Sequence, residues 1–258
     1  MRLIKRILSA AAVLALSASL LVGCSSGTAS SVPVSASSAA ESTVSSVEET
    51  ASSAVDENEA AAAQLLNDLT GSYQELWPVI LADEYKQTWL DDCTALVGED
   101  NAEAAFEKLS SMVTGDVYGE DAVKAYANGG GAYFCGFTNS LAILTFDGET
   151  STISGTDKDG NVLFSHTYHY IGMEPVRGLY EFQSDDADSG EFTYFFLAPD
   201  TSAETYHIEF RYGSDAEALS QYDTGEYAYW LASGISTDCD QTMIDNCIEL
   251  FCTENLAG

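Results

Sequence analysis

Positive charge is what this 258-residue sequence has least of: 9 Lys and Arg stand against 41 Asp and Glu, a formal net charge of −32. A basic face able to hold phosphates is excluded, and nucleic acid with it. Histidine is scarcer still, at 3 residues, which leaves few nitrogens for a metal or for proton transfer. There is no Cys-x-x-Cys, so a thiolate zinc knuckle or a dithiol redox motif is not expected. There is also no Gly-x-Ser-x-Gly elbow, and Gly129-Gly130-Gly131 lacks the following Lys-Ser/Thr of a phosphate loop. Nothing among the acids selects a carboxylate pair for glycoside chemistry. These absences point away from an enzyme. Hydrophobic residues nevertheless make up 46% of the chain, enough for a core.

Three of the cations, Arg2, Lys5 and Arg6, precede an apolar run from Ile7 to Val22 that contains no acid. This is the layout of a secretory signal, and at about 16 residues the run is short of a membrane span. It ends in Leu21-Val22-Gly23-Cys24, which resembles the bacterial lipobox, where the Cys is diacylated and becomes the mature N-terminus. Cleavage there removes three cations and no acid, leaving a net charge of −35. Residues 25–55 hold 12 Ser and no cation, too little apolar surface to offset the entropy of ordering. The expected organisation is a signal peptide over 1–23, a disordered tether over 24–58, a domain over 59–235 and a C-terminal helix over 236–258. The expected location is outside the cytoplasm, on the cell membrane, held by lipid at Cys24.

Within the domain, 59–128 reads as helical. Leu65, Leu66 and Leu69 share one face, and a second stripe over 72–96 carries Tyr73, Trp77, Ile80, Trp89 and Cys93, with Pro78 dividing or kinking it. Residues 101–112 and 118–127 add further helical stretches. From Gly129 the hydrophobic period changes to two. Strands are expected at 132–138, 141–146, 150–154, 162–170, 178–183, 191–197 and 205–212, with Asp147-Gly148 and Asp159-Gly160 as tight turns. Residues 222–231 add a strand or a packing segment. Seven short strands at this spacing imply an antiparallel barrel or sandwich, followed by an amphipathic helix at 238–253.

Candidate ligands are few. His166 and His169 are three apart in a strand and fall on opposite faces unless a bulge intervenes. Thr205, His207, Glu209 and Arg211 alternate onto one face, so His207 and Glu209 offer a nitrogen and an oxygen to one ion. A hydrogen-bonded His beside a Glu–Arg pair is the commoner arrangement. Asp157 to Asn161 looks like the start of a calcium loop but has its Gly too early and no closing Glu, so a turn is expected. The acidic run Ser184 to Gly190 is expected to be solvated, with weak calcium binding as the alternative. Besides Cys24 there are five cysteines, allowing at most two bridges. Cys247 and Cys252, five apart in one helix, are expected to bond outward, to Cys93 or Cys135, if they bond at all.

The run Leu66-Asn67-Asp68-Leu69-Thr70-Gly71-Ser72-Tyr73-Gln74-Glu75-Leu76-Trp77-Pro78 resembles the opening of the ZinT (YodA) domain family, Leu-x-x-Trp-x-Gly-x-Trp-Gln-x-x-Tyr-Pro, with Gly71, Gln74 and Pro78 unchanged. Val176-Arg177-Gly178-Leu179-Tyr180-Glu181 and Tyr206-His207-Ile208 resemble two of its strands, and the likeness spans about 66–235. The resemblance implies a mainly β fold, a calycin or lipocalin-like antiparallel barrel with N-terminal helices. It also implies a domain that binds zinc or cadmium, scavenges zinc, or passes it to an ABC importer's binding protein. The family's ligands follow a His-x(8)-His-x-His pattern. Here His207 matches the last position, Thr205 replaces the middle one, and Asp200 is nearest to the first.

The leading expectation is therefore a lipid-anchored zinc-binding domain. Its metal is held by His207 with Asp200 or Glu209, and His169 or His166 are candidates for a second nitrogen. The alternative is a calycin barrel with a degenerate metal site that takes a small apolar or peptide ligand in its mouth. Tyr73, Trp77, Tyr206 and Trp230 would line that mouth. A third is a surface interaction module in which the barrel is only scaffold.

Overall fold

A computed structural model describes residues 57–126 and 132–257. Cys24, the signal segment and nearly all of the tether lie outside the described residues. No helix among the described residues is long and apolar enough to cross a membrane.

Helix α1, residues 57–68, buries Ala62, Leu65 and Leu66 on one face, and these join the core of the barrel that follows. Strands β1 (Gly71–Glu75), β2 (Ile143–Asp147), β3 (Thr152–Thr156), β4 (Val162–Met173), β5 (Tyr180–Ser184), β6 (Tyr194–Leu197), β7 (Ile208–Gly213) and β8 (Ala232–Ser236) close into one antiparallel barrel in sequence order. β1 closes it by pairing with β8, Tyr73 opposite Ser236, as well as with β2. Every strand thereby finds two partners and no edge is left open.

The alternation expected of the strands fills the interior. Phe182, Phe195 and Tyr212 stand directly opposite one another across β5, β6 and β7, and the rings of Phe195 and Tyr212 lie 5.3 Å apart. All three are buried, each stabilising the fold by roughly 2–3 kcal/mol through its area alone. α1 lies over the end where β1 begins. Gly148, in the β2–β3 turn, approaches it so closely that a Cβ there would sit 2.4 Å from the Cα of Asn67.

Between β1 and β2 the chain leaves the sheet. Helices α2 (Leu76–Ile80), α3 (Lys86–Val97) and α4 (Glu99–Met112) pack with the final helix α8 (Gln241–Leu256) into a second apolar cluster. Ile235 of β8 belongs to that cluster, so the helical layer lies on the outer wall of the barrel. Pro78 falls in the first turn of α2, where its missing N–H costs no helical bond. Three short helices complete the fold, α5 (Glu120–Tyr126), α6 (Ser202–Thr205) and α7 (Ala216–Leu219).

The calycin-like barrel with flanking helices is as expected, but two strands and one segment are not. β1 occupies residues read as the start of a helix, and β8 follows the 222–231 segment instead of lying in it. Residues 132–138 are no strand. Phe134 makes only isolated bridges, to Thr114 and Trp230, while Phe137 and Leu141 plug the barrel core.

Candidate functional site

The approach to β7 sets the site. Ile208, Phe210 and Tyr212 point into the barrel, which turns Glu209 and Arg211 to its outer wall. Just before the strand, Tyr206 takes a left-handed conformation, φ +66°, and this turn aims His207 outward. His207 Nδ1 lies 2.7 Å from the backbone carbonyl of Thr205. A carbonyl can only accept, so Nδ1 carries a hydrogen and Nε2 is the ring nitrogen left open to a metal. A backbone carbonyl on one ring nitrogen is the usual support for a metal on the other. The Cys247 sulfur of α8 is 3.9 Å from the same Nδ1.

Three carboxylates share this neighbourhood. Desolvation by its neighbours raises the Glu254 carboxyl of α8 above its usual value, the nearby His207 imidazole draws it down, and Glu209 and Asp200 push it up again. Asp200 comes from the β6–β7 connection, Glu209 from β7 and Glu254 from α8, so the charges that act on Glu254 come from separate elements. Two thiols border the cluster. Burial, with Glu209 nearby, pushes Cys135 up to about 12. Burial, with Glu254 and Cys239, pushes Cys247 up to about 12. Without a metal both thiols keep their protons at neutral pH, and a thiol would have to release its proton to join the oxygens and the imidazole as a ligand.

The donors are neighbours without being a formed coordination shell: among the described residues no three His, Cys, Asp or Glu side chains converge closely enough to hold a metal. Thr205, at the middle family position, commits its hydroxyl to the carbonyls of Thr201 and His207, 3.1 and 3.0 Å away.

The histidines of β4 do not supply a second nitrogen to His207, which corrects the expectation that either would assist it. His207 precedes β7 at the end where β6 stops, whereas His166 and His169 lie toward the other end, beside the β5–β6 loop. They do fall on opposite faces. The ring of His166 stacks on buried Phe164, and its Nδ1 donates to Asp186 Oδ2 at 2.6 Å. His169 is exposed and donates to Asp185 Oδ1 at 2.6 Å. The acidic run at 184–190 therefore grips β4 from both sides. Asp157 folds its own turn, accepting from the backbone of Asp159 and Asn161 at 2.9 and 2.8 Å, with Gly160 at φ +81°.

The aromatic quartet does not line a mouth. Tyr73 and Trp230 belong to the filled barrel core, while Trp77 and Tyr206 pack in the helical cluster outside it. Among the described residues, surface clefts of about 490 Å³ and about 320 Å³ open outside the barrel interior, the first between α1 and the β6–β7 connection and the second around Glu75, Trp77, Pro78 and Asp116.

Sequence reasoning missed Glu254 and Cys247. They are seven residues apart and so share one face of α8, a spacing readable in the sequence, but that helix lies beyond the 66–235 stretch that carries the family resemblance.

No family model matches the chain, and no curated protein sequence matches it. Among solved structures, the chain is similar to the Zn(II)-bound ZinT-like domain of Streptococcus pneumoniae AdcA, with 15% identity and a TM-score of 0.45 over 71% of this chain and 89% of that one. It is also similar to Zn(II)-bound AdcA of the same organism, with 17% identity and a TM-score of 0.40 over 75% of this chain and 35% of that one.

Proposed function

We propose that this chain binds a divalent metal ion, zinc foremost, on the outer wall of its barrel beneath α8. His207 Nε2 would be the nitrogen donor, with carboxylate oxygens from Glu254, Glu209 and Asp200. The observation that carries this reading is the hydrogen bond of His207: its Nδ1 is engaged by a backbone carbonyl, which leaves Nε2 as the ring nitrogen open to a metal, near Glu254 of α8. Binding requires Glu254, an exposed side chain, and the Asp200 connection to close on the imidazole. A set with one nitrogen and several oxygens holds zinc more weakly, and discriminates less sharply, than one with three imidazoles.

The reading extends to a setting outside the cytoplasm, with a lipid anchor at Cys24 and a role in scavenging zinc or handing it to an ABC importer's binding protein. Its support is the lipobox-like Leu21-Val22-Gly23-Cys24 and the cation-free Ser-rich tether.

Zinc and cadmium affinities measured by chelator competition test it. His207→Ala should lose roughly tenfold or more and Glu254→Gln a smaller factor, while His166→Ala and His169→Ala stay near the parent. Unchanged zinc affinity in His207→Ala would overturn the assignment.

A further inference from the structure

Cys93 of α3 and Cys252 of α8 are both fully buried, and their sulfurs are 3.9 Å apart, in direct contact. The remaining cysteines are engaged elsewhere. Cys135 lies against the carbonyl of Tyr133, Cys247 against His207, and Cys239 precedes α8 and is only half-buried. Packing thus selects one pair out of the ten that five thiols allow. A disulfide needs sulfurs about 2.05 Å apart, so closing this contact calls for a shift of about 2 Å, within the reach of side-chain torsions on two packed helices.

We propose that Cys93 and Cys252 form a disulfide that staples the C-terminal helix to α3 in the exported protein. One thiolate attacks the disulfide of an extracytoplasmic thiol oxidant, giving a mixed disulfide and releasing one of the oxidant's thiols. The second thiolate then displaces the other. The two cysteines give up two electrons and two protons, and the oxidant's disulfide becomes two thiols. Neither sulfur is reachable once α8 is docked, so the exchange belongs to folding, before docking, and the finished bond is sheltered from reductants. Burial also raises both thiols above the usual range, which disfavours the attacking thiolate in the docked state. The bridge would fix the helix that carries Glu254, two residues beyond Cys252. It stands independently of any metal.

The test is peptide mapping of the protein made from the full chain with its leader and recovered from the extracytoplasmic side of the producing cell. The protein is alkylated in denaturant without reductant and cut at acidic residues, which separates Cys247 from Cys252. The expected result is label on Cys135, Cys239 and Cys247, with Cys93 and Cys252 recovered only as one linked peptide that reductant releases. Recovery of Cys93 and Cys252 as labelled thiols, or bonded to any other cysteine, overturns the proposal. Reductant added to the native protein should leave the bond intact, whereas reduction in denaturant followed by refolding should lower Tm by roughly 10 °C. An equal Tm before and after that treatment also counts against it.

Discussion

Arg211 sits at full burial on the outer wall of β7, with no carboxylate in salt-bridge range among the described residues. Its guanidinium donates to the backbone carbonyls of Leu219 and Tyr227, and to that of Gln221 at 3.2 and 3.3 Å, and it lies 4.4 Å from the centroid of the Tyr222 ring. One side chain thereby satisfies three carbonyls of the 219–227 crossing, while its own Nε is buried with no partner among the described residues. Burying the charge costs several kcal/mol, and burial accordingly lowers the Arg211 pKa.

The substitution that separates cost from gain is Arg211→Met, which keeps the length and the apolar stem. In a buried ion pair, replacing both partners with apolar groups is often neutral. Here the acceptors are main-chain carbonyls that no side-chain change can remove. Orphaning those of Leu219 and Tyr227 costs about 1–3 kcal/mol each, and the lost cation–π contact about 1–2 more. Relief of the buried charge offsets part of this, for a net destabilisation of about 3 kcal/mol. Urea unfolding at neutral pH should show a midpoint lower by about 1–2 M at unchanged slope. Amide exchange should accelerate in 219–231, while β3 and β4 keep their protection. Arg211→Lys, with one point charge for a fork, should lose roughly half as much. A Met variant as stable as the parent would refute the reasoning, since it would mean that the carbonyls find other partners and that the charge was a net burden.

Other expectations follow from the same packing. Asp92 of α3 faces Asp245 and Glu249 of α8, and its Oδ2 is buried with no hydrogen-bond partner among the described residues. Desolvation first, then Glu249 and Asp245, raise its carboxyl above the usual value. A carboxyl raised in the native state binds its proton more tightly there, so stability falls as pH climbs from the unfolded value through the folded one. Asp92→Asn should remove that slope and stabilise the protein at neutral pH by about 0.5–1 kcal/mol, discounted for partial solvent screening. Parallel melts at pH 4 and pH 7 check both. Gly148→Ala sets its Cβ against backbone, Asn67 N at 2.6 Å and Leu66 O at 2.6 Å, so nothing can rotate away. It should cost about 1–3 kcal/mol and loosen α1, read as faster proteolysis after residue 57.

How much of this was legible depends on where each constraint lives. β2 through β5 announce themselves because one face of each is more buried than the other, and an alternating pattern is the direct record of that, while β6 and β7, buried on nearly every residue, show as short aromatic-rich runs. β1 and β8 leave no such record. Gly71-Ser72-Tyr73-Gln74-Glu75 has a single large apolar residue, and its strand conformation comes from pairing on both sides with segments far off in sequence. In β8, small residues are required: a Cβ on Gly234 would lie 3.1 Å from a side-chain carbon of Ile208 and 3.3 Å from the Cβ of Tyr73. Propensity reads such a stretch as loop because it cannot see the neighbours that exclude bulk. The opposite error occurs at 132–138, whose aromatic alternation packs against Trp230 and Tyr118 instead of entering the ladder.

The candidate site divides the same way. His207, Asp200 and Glu209 lie on or beside one strand, so local spacing was enough to nominate them. Glu254 arrives from α8 through tertiary packing, and no local pattern ties it to β7. The three histidines fall in one half of the chain, yet strand register places two of them toward the far end of the barrel, each held by its own aspartate. His207 is then left as the one imidazole beneath α8. An excess of acid this large concentrates cations of every kind at the surface, so charge alone selects nothing. In the proposed site, preference for zinc over harder ions would come from the nitrogen that His207 adds. Removing that single ring should therefore cost zinc more than it costs calcium or magnesium.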